Sequence, residues 1–185
     1  MYNRLMLVIG IDPGTATTGY GLIKVHENGE TKLIDSGLIE TDKDGDPGGR
    51  LDKIYTAMLS LLKVHSPDIF AMEKIFFFSN AKTVIRVGQA QGVLLLAAAR
   101  SKIPVVEYAP GKIKLVVGGN GRADKTVMKE AVRKIFGIRA EKGKKTHFDN
   151  VADAIAVAMC HVRMTSSPPS REASAGKGGE TNGGR

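Results

Sequence analysis

The sequence predicts an α/β domain built on a mixed five-stranded sheet flanked by helices. Three observations carry that prediction. The first 40 residues hold three strand-like segments separated by tight turns, the pattern of an antiparallel meander. Two later apolar segments, ending at Glu73 and Tyr108, each follow a helical segment, as in the β-helix-β crossovers that make strands parallel. Leu5-Met6-Leu7-Val8-Ile9 and Ile69-Phe70-Ala71-Met72 are apolar at successive positions, as in strands covered on both faces.

The first run closes on Gly10-Ile11-Asp12-Pro13-Gly14-Thr15, which sets Asp12 at the carboxyl end of a buried strand. A carboxylate there is costly unless a cation answers it. Two readings stand at this point: a turn residue bonding its own backbone before Pro-Gly, or a metal ligand or catalytic acid. Gly19 to Val25 and Lys32 to Glu40 read as the next strands, with Glu27-Asn28-Gly29-Glu30 as the hairpin turn. The acids of the loop 42–49 lack the spacing and closing bidentate Glu of a calcium loop, so an exposed loop is expected. A helix is expected from Arg50 to His65, with Leu51, Ile54, Met58, Leu61 and Leu62 on one face and Ser66-Pro67-Asp68 as its stop.

Glu73 then repeats the pattern of a buried strand ending in a carboxylate. If the two strands are neighbours, Asp12 and Glu73 converge on one sheet edge. Phe76-Phe77-Phe78 is expected in a loop before a helix capped near Ser79 or Asn80. Three successive aromatics cannot all face one core, and an exposed Phe beside a carboxylate suits stacking or wedging against bases. The helix from Ala81 to Arg100 carries Gly88-x-x-x-Gly92, a spacing that permits close helix approach in a core or a dimer contact. Its apolar run, Val93 to Ala99, is far short of the ~20 residues that span a bilayer. A fifth strand at Pro104 to Tyr108, a short helix at Lys112 to Val117 and a helix from Asp124 to Phe136 follow. The last helix is expected to start at His147-Phe148-Asp149 and run to Met164, with Ala152, Ala154, Ala156 and Ala158 allowing close approach to the sheet. At ~100° per residue, Asp153 lies ~40° from Asp149 and ~60° from Asn150, so the three point broadly one way. Asp149 has a competing role as N-cap, whereas Asp153 sits inside an apolar helix. Residues 1–164 form one expected domain, and 165–185 a Gly-, Ser- and Pro-rich tail expected to be disordered.

Of the 185 residues, 27 are Lys or Arg and 19 are Asp or Glu, a net charge of +8. Between Gly111 and Lys145 eleven basic residues face three acidic ones, an excess equal to that of the whole chain. A solvated face alternates its signs, and a localised excess is a footprint for phosphates, so nucleic acid is the expected partner. The sole cysteine, Cys160, excludes an internal disulfide and reads as an inert buried thiol. With no secretory signal and no spanning segment, a cytoplasmic location away from membranes is expected.

Asp12, Glu73 and Asp153 come from separate elements. Packing them together without cations raises their pKa values. Divalent metal resolves the conflict, and hard oxygen ligands favour magnesium or manganese over zinc. No Cys/His zinc spacing, Ser-His-Asp arrangement or G-x-x-x-x-G-K-[ST] loop is present. An acid cluster, a basic flank and divalent metal together fit two-metal phosphodiester hydrolysis.

Five segments in order, Gly10-Ile11-Asp12-Pro13-Gly14 with Thr18-Gly19-Tyr20-Gly21, Ala71-Met72-Glu73, Gly88-Gln89-Ala90-Gln91-Gly92 and Ala152-Asp153-Ala154-Ile155-Ala156, resemble the RuvC family of bacterial Holliday-junction resolvases. The resemblance runs from about Leu7 to His161. It implies a ribonuclease-H-like fold and a homodimer that nicks two strands of like polarity in a four-way DNA junction, leaving 5′-phosphate and 3′-hydroxyl ends. It also implies two Mg2+ ions (or Mn2+) per active site and partnership with the RuvA–RuvB branch-migration complex. Asp12, Glu73 and Asp153 match metal-binding catalytic positions, Phe76 the junction-wedging aromatic, and Lys114 and Lys125 basic residues that face DNA near the scissile phosphate. The basic segment adds Lys112 and Arg122 as DNA-contact candidates. The family's fourth acidic position, usually Asp and sometimes His, is Asn150 here, a weaker neutral ligand for which Asp149 is the candidate substitute. Three rival functions compete with this one. A kinase-type ATPase shares the Gly-Ile-Asp-x-Gly-Thr pattern but needs two such lobes, and the chain has room for one. The second rival is a junction-binding protein without cleavage, and the third a short RNA-directed nuclease.

Overall fold

Strand β1 (Met6–Asp12) is the axis of the fold, and Val8, Ile9 and Ile11 are wholly buried, as its unbroken apolar run requires. The computed structural model describes residues 5–75, 81–138 and 145–166. Strands β2 (Thr17–Val25) and β3 (Thr31–Glu40) continue β1 as an antiparallel meander, and β4 (Ile69–Glu73) and β5 (Val105–Tyr108) add parallel strands on its other side. The sheet order is β3-β2-β1-β4-β5, the mixed five-stranded sheet expected from the sequence. The β2–β3 turn closes where Asn28-Gly29 predicts it, with Gly29 at φ 84°.

Helices α1 (Pro47–His65) and α2 (Ala81–Arg100) cover one face, burying Ile54, Met58, Leu62, Ala90 and Leu94 against Ile9, Ile11, Phe70 and Met72. Helices α3 (Pro110–Gly118), α4 (Lys125–Phe136) and α5 (Lys145–Ser166) cover the other, against Val8, Ile23 and Ala71. The period of two along a strand thus sorts β1 and β4 between two cores.

Several boundaries differ from expectation for local reasons. Helix α1 begins at Pro47 rather than Arg50, because the Asp46 carboxylate accepts the Gly49 N–H at 3.0 Å and Pro47 occupies the first turn. Helix α3 likewise starts on Pro110. Helix α5 begins at Lys145, so Asp149 is not its N-cap but lies inside it. It ends at Ser166, past the Met164 boundary, and the rest of the expected tail, 167–185, lies outside the described residues, as do Phe76 and the proposed cap at 79–80.

Helix α5 sits very close to the sheet. A Cβ on Gly10 would strike the Ala154 carbonyl and the Ala158 amide, and one on Gly19 would strike the Asn150 carbonyl. The glycines of the strands and the alanines of the helix together remove the side-chain layer that separates most helices from their sheet. Cys160 is buried on α5, and burial pushes its thiol up to about 11, which fits the inert role. Among the described residues no helix is long and apolar enough to cross a membrane.

Candidate active site

Register brings the strand-end carboxylates together. Gly10 pairs with Ala71 and Ile11 with Met72 in the parallel β1–β4 ladder, so Asp12 and Glu73 are the next residues side by side. Val8 and Ala71 pack in the α5-side core, and by alternation Asp12 and Glu73 project toward the same face. On its other flank Asp12 pairs with Gly19, over which the Asn150 backbone lies. Asp153 is one turn further along α5. The missing side chains at Gly10 and Gly19 are therefore what lower the third carboxylate onto the first two.

Asp12, Glu73, Asn150 and Asp153 line one cavity of about 340 Å³, together with Lys114 of α3 and Lys125 of α4. Pro110, Ile113 and Met128 form part of its apolar wall. The carboxyls feel each other. Asp12 is pushed up to about 7, first by burial and then by Asp153 and Glu73, with Lys125 opposing. Burial and Asp153 raise Glu73, and Lys114 and Lys125 counter. Burial also raises Asp153, whose main relief is Lys125, with Nζ 3.7 Å from Oδ2. Three carboxyls held above their ordinary range around two lysines form a donor set short of positive charge. That fits a divalent cation in its chemistry: hard oxygens, a neutral amide oxygen on Asn150, and no thiol or imidazole in the lining. Among the described residues no three acidic, imidazole or thiol groups are spaced as ligands of one ion, so the fit rests on donor type and charge.

The other candidates divide. Asp149 does not line the cavity; Lys129 donates to its Oδ1 at 2.7 Å, which ties α4 to α5. Lys112, on the same helix as Lys114, acts on Cys160 rather than on the acid pocket. Arg122 is exposed in the α3–α4 loop, its N–H donating to Asn120 Oδ1 at 2.9 Å. Phe76 lies outside the described residues. Sequence reading missed Lys129, although its i,i+4 spacing from Lys125 sets the two on one face of α4. It also missed Thr18, wholly buried, whose hydroxyl donates to the Gly14 carbonyl at 2.8 Å and pins the turn that follows Asp12.

Comparison with known proteins gives concordant matches. The family model described as crossover junction endodeoxyribonuclease RuvC matches residues 8–161. A protein of that name from Caldicellulosiruptor saccharolyticus is 43% identical over 162 residues, 88% of this chain and 95% of its own length. Another, from Syntrophomonas wolfei, is 45% identical over 175 residues, 95% of this chain and 99% of its own. The solved structure of T. thermophilus RuvC in complex with Holliday junction substrate is similar with a TM-score of 0.77 at 29% identity, covering 86% of this chain and 94% of that one.

Proposed function

The chain belongs to the RuvC family of crossover junction endodeoxyribonucleases, and from that membership we infer that it resolves four-way DNA junctions by metal-dependent phosphodiester hydrolysis at the pocket of Asp12, Glu73, Asn150 and Asp153. The observation that carries the site assignment is the β1–β4 register, which sets Asp12 beside Glu73 on the face that α5 covers with Asp153.

Asp12, Glu73 and Asp153 would hold divalent metal, with Asn150 as a neutral fourth donor; the hard oxygens favour magnesium or manganese, and two ions per site are proposed from the two-metal scheme of phosphodiester hydrolysis. Metal so held would supply an activated water and stabilise the leaving 3′ oxygen. Lys125 relieves the charge on Asp153 and Lys114 that on Glu73, so both cations stand where a scissile phosphate would enter. The apolar wall at Pro110, Ile113 and Met128 lowers the local dielectric on that side and strengthens these interactions. Asp149, engaged by Lys129, is the poorer ligand candidate, which favours Asn150 at the fourth position. Lys112, Arg122 and Phe76 remain proposed DNA contacts outside the pocket. The expected result is metal-supported cleavage of a four-way junction and none of a linear duplex of the same sequence. Equal cutting of both would contradict the reading.

Paired nicks call for two copies of the chain, and helix α2 offers a face for them. Ala90, Leu94, Ala97 and Ala98 turn to the core, leaving Leu96 at 48% exposed, and a Cβ on Gly92 would meet nothing within 4 Å. This stripe suits a homodimer. Leu96→Glu should convert a dimer into a monomer by light scattering; an unchanged mass would move the interface elsewhere. Coupling to the RuvA–RuvB branch-migration complex is proposed on family grounds alone.

A further inference from the structure

A second cavity, of about 300 Å³, opens beyond the β1–β2 loop on the α1/α2 side of the sheet. Its wall is Thr15 from the loop, Pro47, Arg50 and Leu51 from the first turn of α1, and Ile85, Arg86 and Gln89 from α2. We propose that this cavity holds one nucleotide of a junction strand, its phosphate between Arg50 and Arg86 and its sugar against Pro47, Leu51 and Ile85. The proposal rests on the resolvase reading above and adds a binding site to it.

Arg50 is preorganised. Its Nε donates to Thr41 Oγ1 at 3.0 Å, and that hydroxyl donates in turn to the Thr15 carbonyl at 2.5 Å. The guanidinium is thereby fixed to the loop that follows Asp12, and among the described residues its terminal nitrogens have no partner. A planar fork held in one orientation suits a phosphate oxygen pair better than a mobile ammonium does. Arg86 comes from a different helix and is exposed. Among the described residues neither arginine has a carboxylate within salt-bridge distance. Two cations lining one small cavity without an acid repel each other, and an anion between them removes that cost. The apolar wall separates this cavity from a plain charge patch, because a nucleotide presents a sugar as well as a phosphate.

Position argues for DNA. Thr15 is three residues from Asp12, so the two cannot lie more than roughly 11 Å apart along the chain. A strand gripped at Thr15, Arg50 and Arg86 can therefore cross the β1–β2 loop and enter the acid pocket. The basic segment on α3 and α4 lies on the opposite face of the sheet, so a strand held in both places is held on both sides of the scissile position.

The test is equilibrium binding of a four-way junction to the full chain, without divalent metal, over a range of salt concentrations. Arg86→Ala should weaken binding about tenfold at 0.1 M salt and flatten the log–log salt slope by about 0.9, one phosphate contact. Arg86→Lys should restore the slope. Lys63→Ala removes the same charge ~20 Å further along α1 and should leave the slope unchanged. An unaltered slope in Arg86→Ala, an equal flattening in Lys63→Ala, or a change of oligomeric mass in Arg86→Ala that accounts for the loss would each overturn the proposal while leaving the resolvase reading intact. A wild-type chain that fails to bind the junction in the same titration would remove both.

Discussion

Asp12→Asn should abolish junction cleavage and leave junction binding close to that of the wild type. The carboxylate sits at the meeting point of the β1–β2 and β1–β4 ladders, beside Glu73 and facing Asp153. Burial, Asp153 and Glu73 all raise its pKa. The amide keeps the shape and removes the charge that holds metal. Loss of several kcal/mol of transition-state stabilisation corresponds to a rate lower by on the order of 10³-fold or more. Affinity for DNA comes from lysines and arginines that the substitution does not touch. Binding measured without metal and cleavage measured with magnesium separate the two effects. A variant that cleaves at even a tenth of the wild-type rate would remove Asp12 from the chemical step.

The same substitution should stabilise the metal-free protein above neutral pH. The Asp12 carboxyl is raised from 3.8 to about 7 in the folded chain, by burial first and by Asp153 and Glu73 next. A native pKa above the unfolded one means that the folded state binds the proton more tightly and that ionisation opposes folding. Below about pH 4 the group is protonated in both states and costs nothing. The cost grows between about pH 4 and pH 7, where only the unfolded chain ionises, and is constant above. Its ceiling is on the order of 4 kcal/mol, reduced by the part of the side chain that solvent reaches. Wild type and Asp12→Asn should therefore melt together near pH 4 and diverge toward pH 8, the variant higher by roughly 5–10 °C. Glu73 and Asp153 are present in both proteins, so the difference reports Asp12 together with its coupling to them. Magnesium should close the gap by binding the native wild type. Parallel pH profiles, or a wild type more stable than the variant at pH 8 without metal, would show that the carboxylate cluster is not under strain.

Much of this site is legible in the sequence because its acids stand where acids are expensive. Asp12 and Glu73 each end an unbroken apolar run, and Asp153 interrupts an apolar helix. The period of two along strands then predicts the face they share. Other features are tertiary. A glycine in a strand announces a close approach, but that α5 is what approaches Gly10 and Gly19 depends on how the helices are distributed over the sheet. The pairing of Asp149 with Lys129 joins two helices, and no local pattern reveals it. No Ser, Thr, Asp or Asn stands just before Lys145 in the sequence to announce the start of α5, which is why Asp149 passes for the cap. Two other features do carry local signals. Asp46-Pro47 is a helix-start signal on its own terms. Lys112 and Lys114, two residues apart on one helix, point about 160° apart and cannot both face one pocket.

Cleavage products of a mobile four-way junction, mapped at nucleotide resolution after incubation with magnesium or manganese, test the assignment most directly. Nicks in two strands of like polarity at symmetric positions, 5′-phosphate and 3′-hydroxyl ends, and no product in the presence of a chelator are the expected result. Junction binding with no cleavage in either metal, or nicks of unrelated position and polarity, would contradict it.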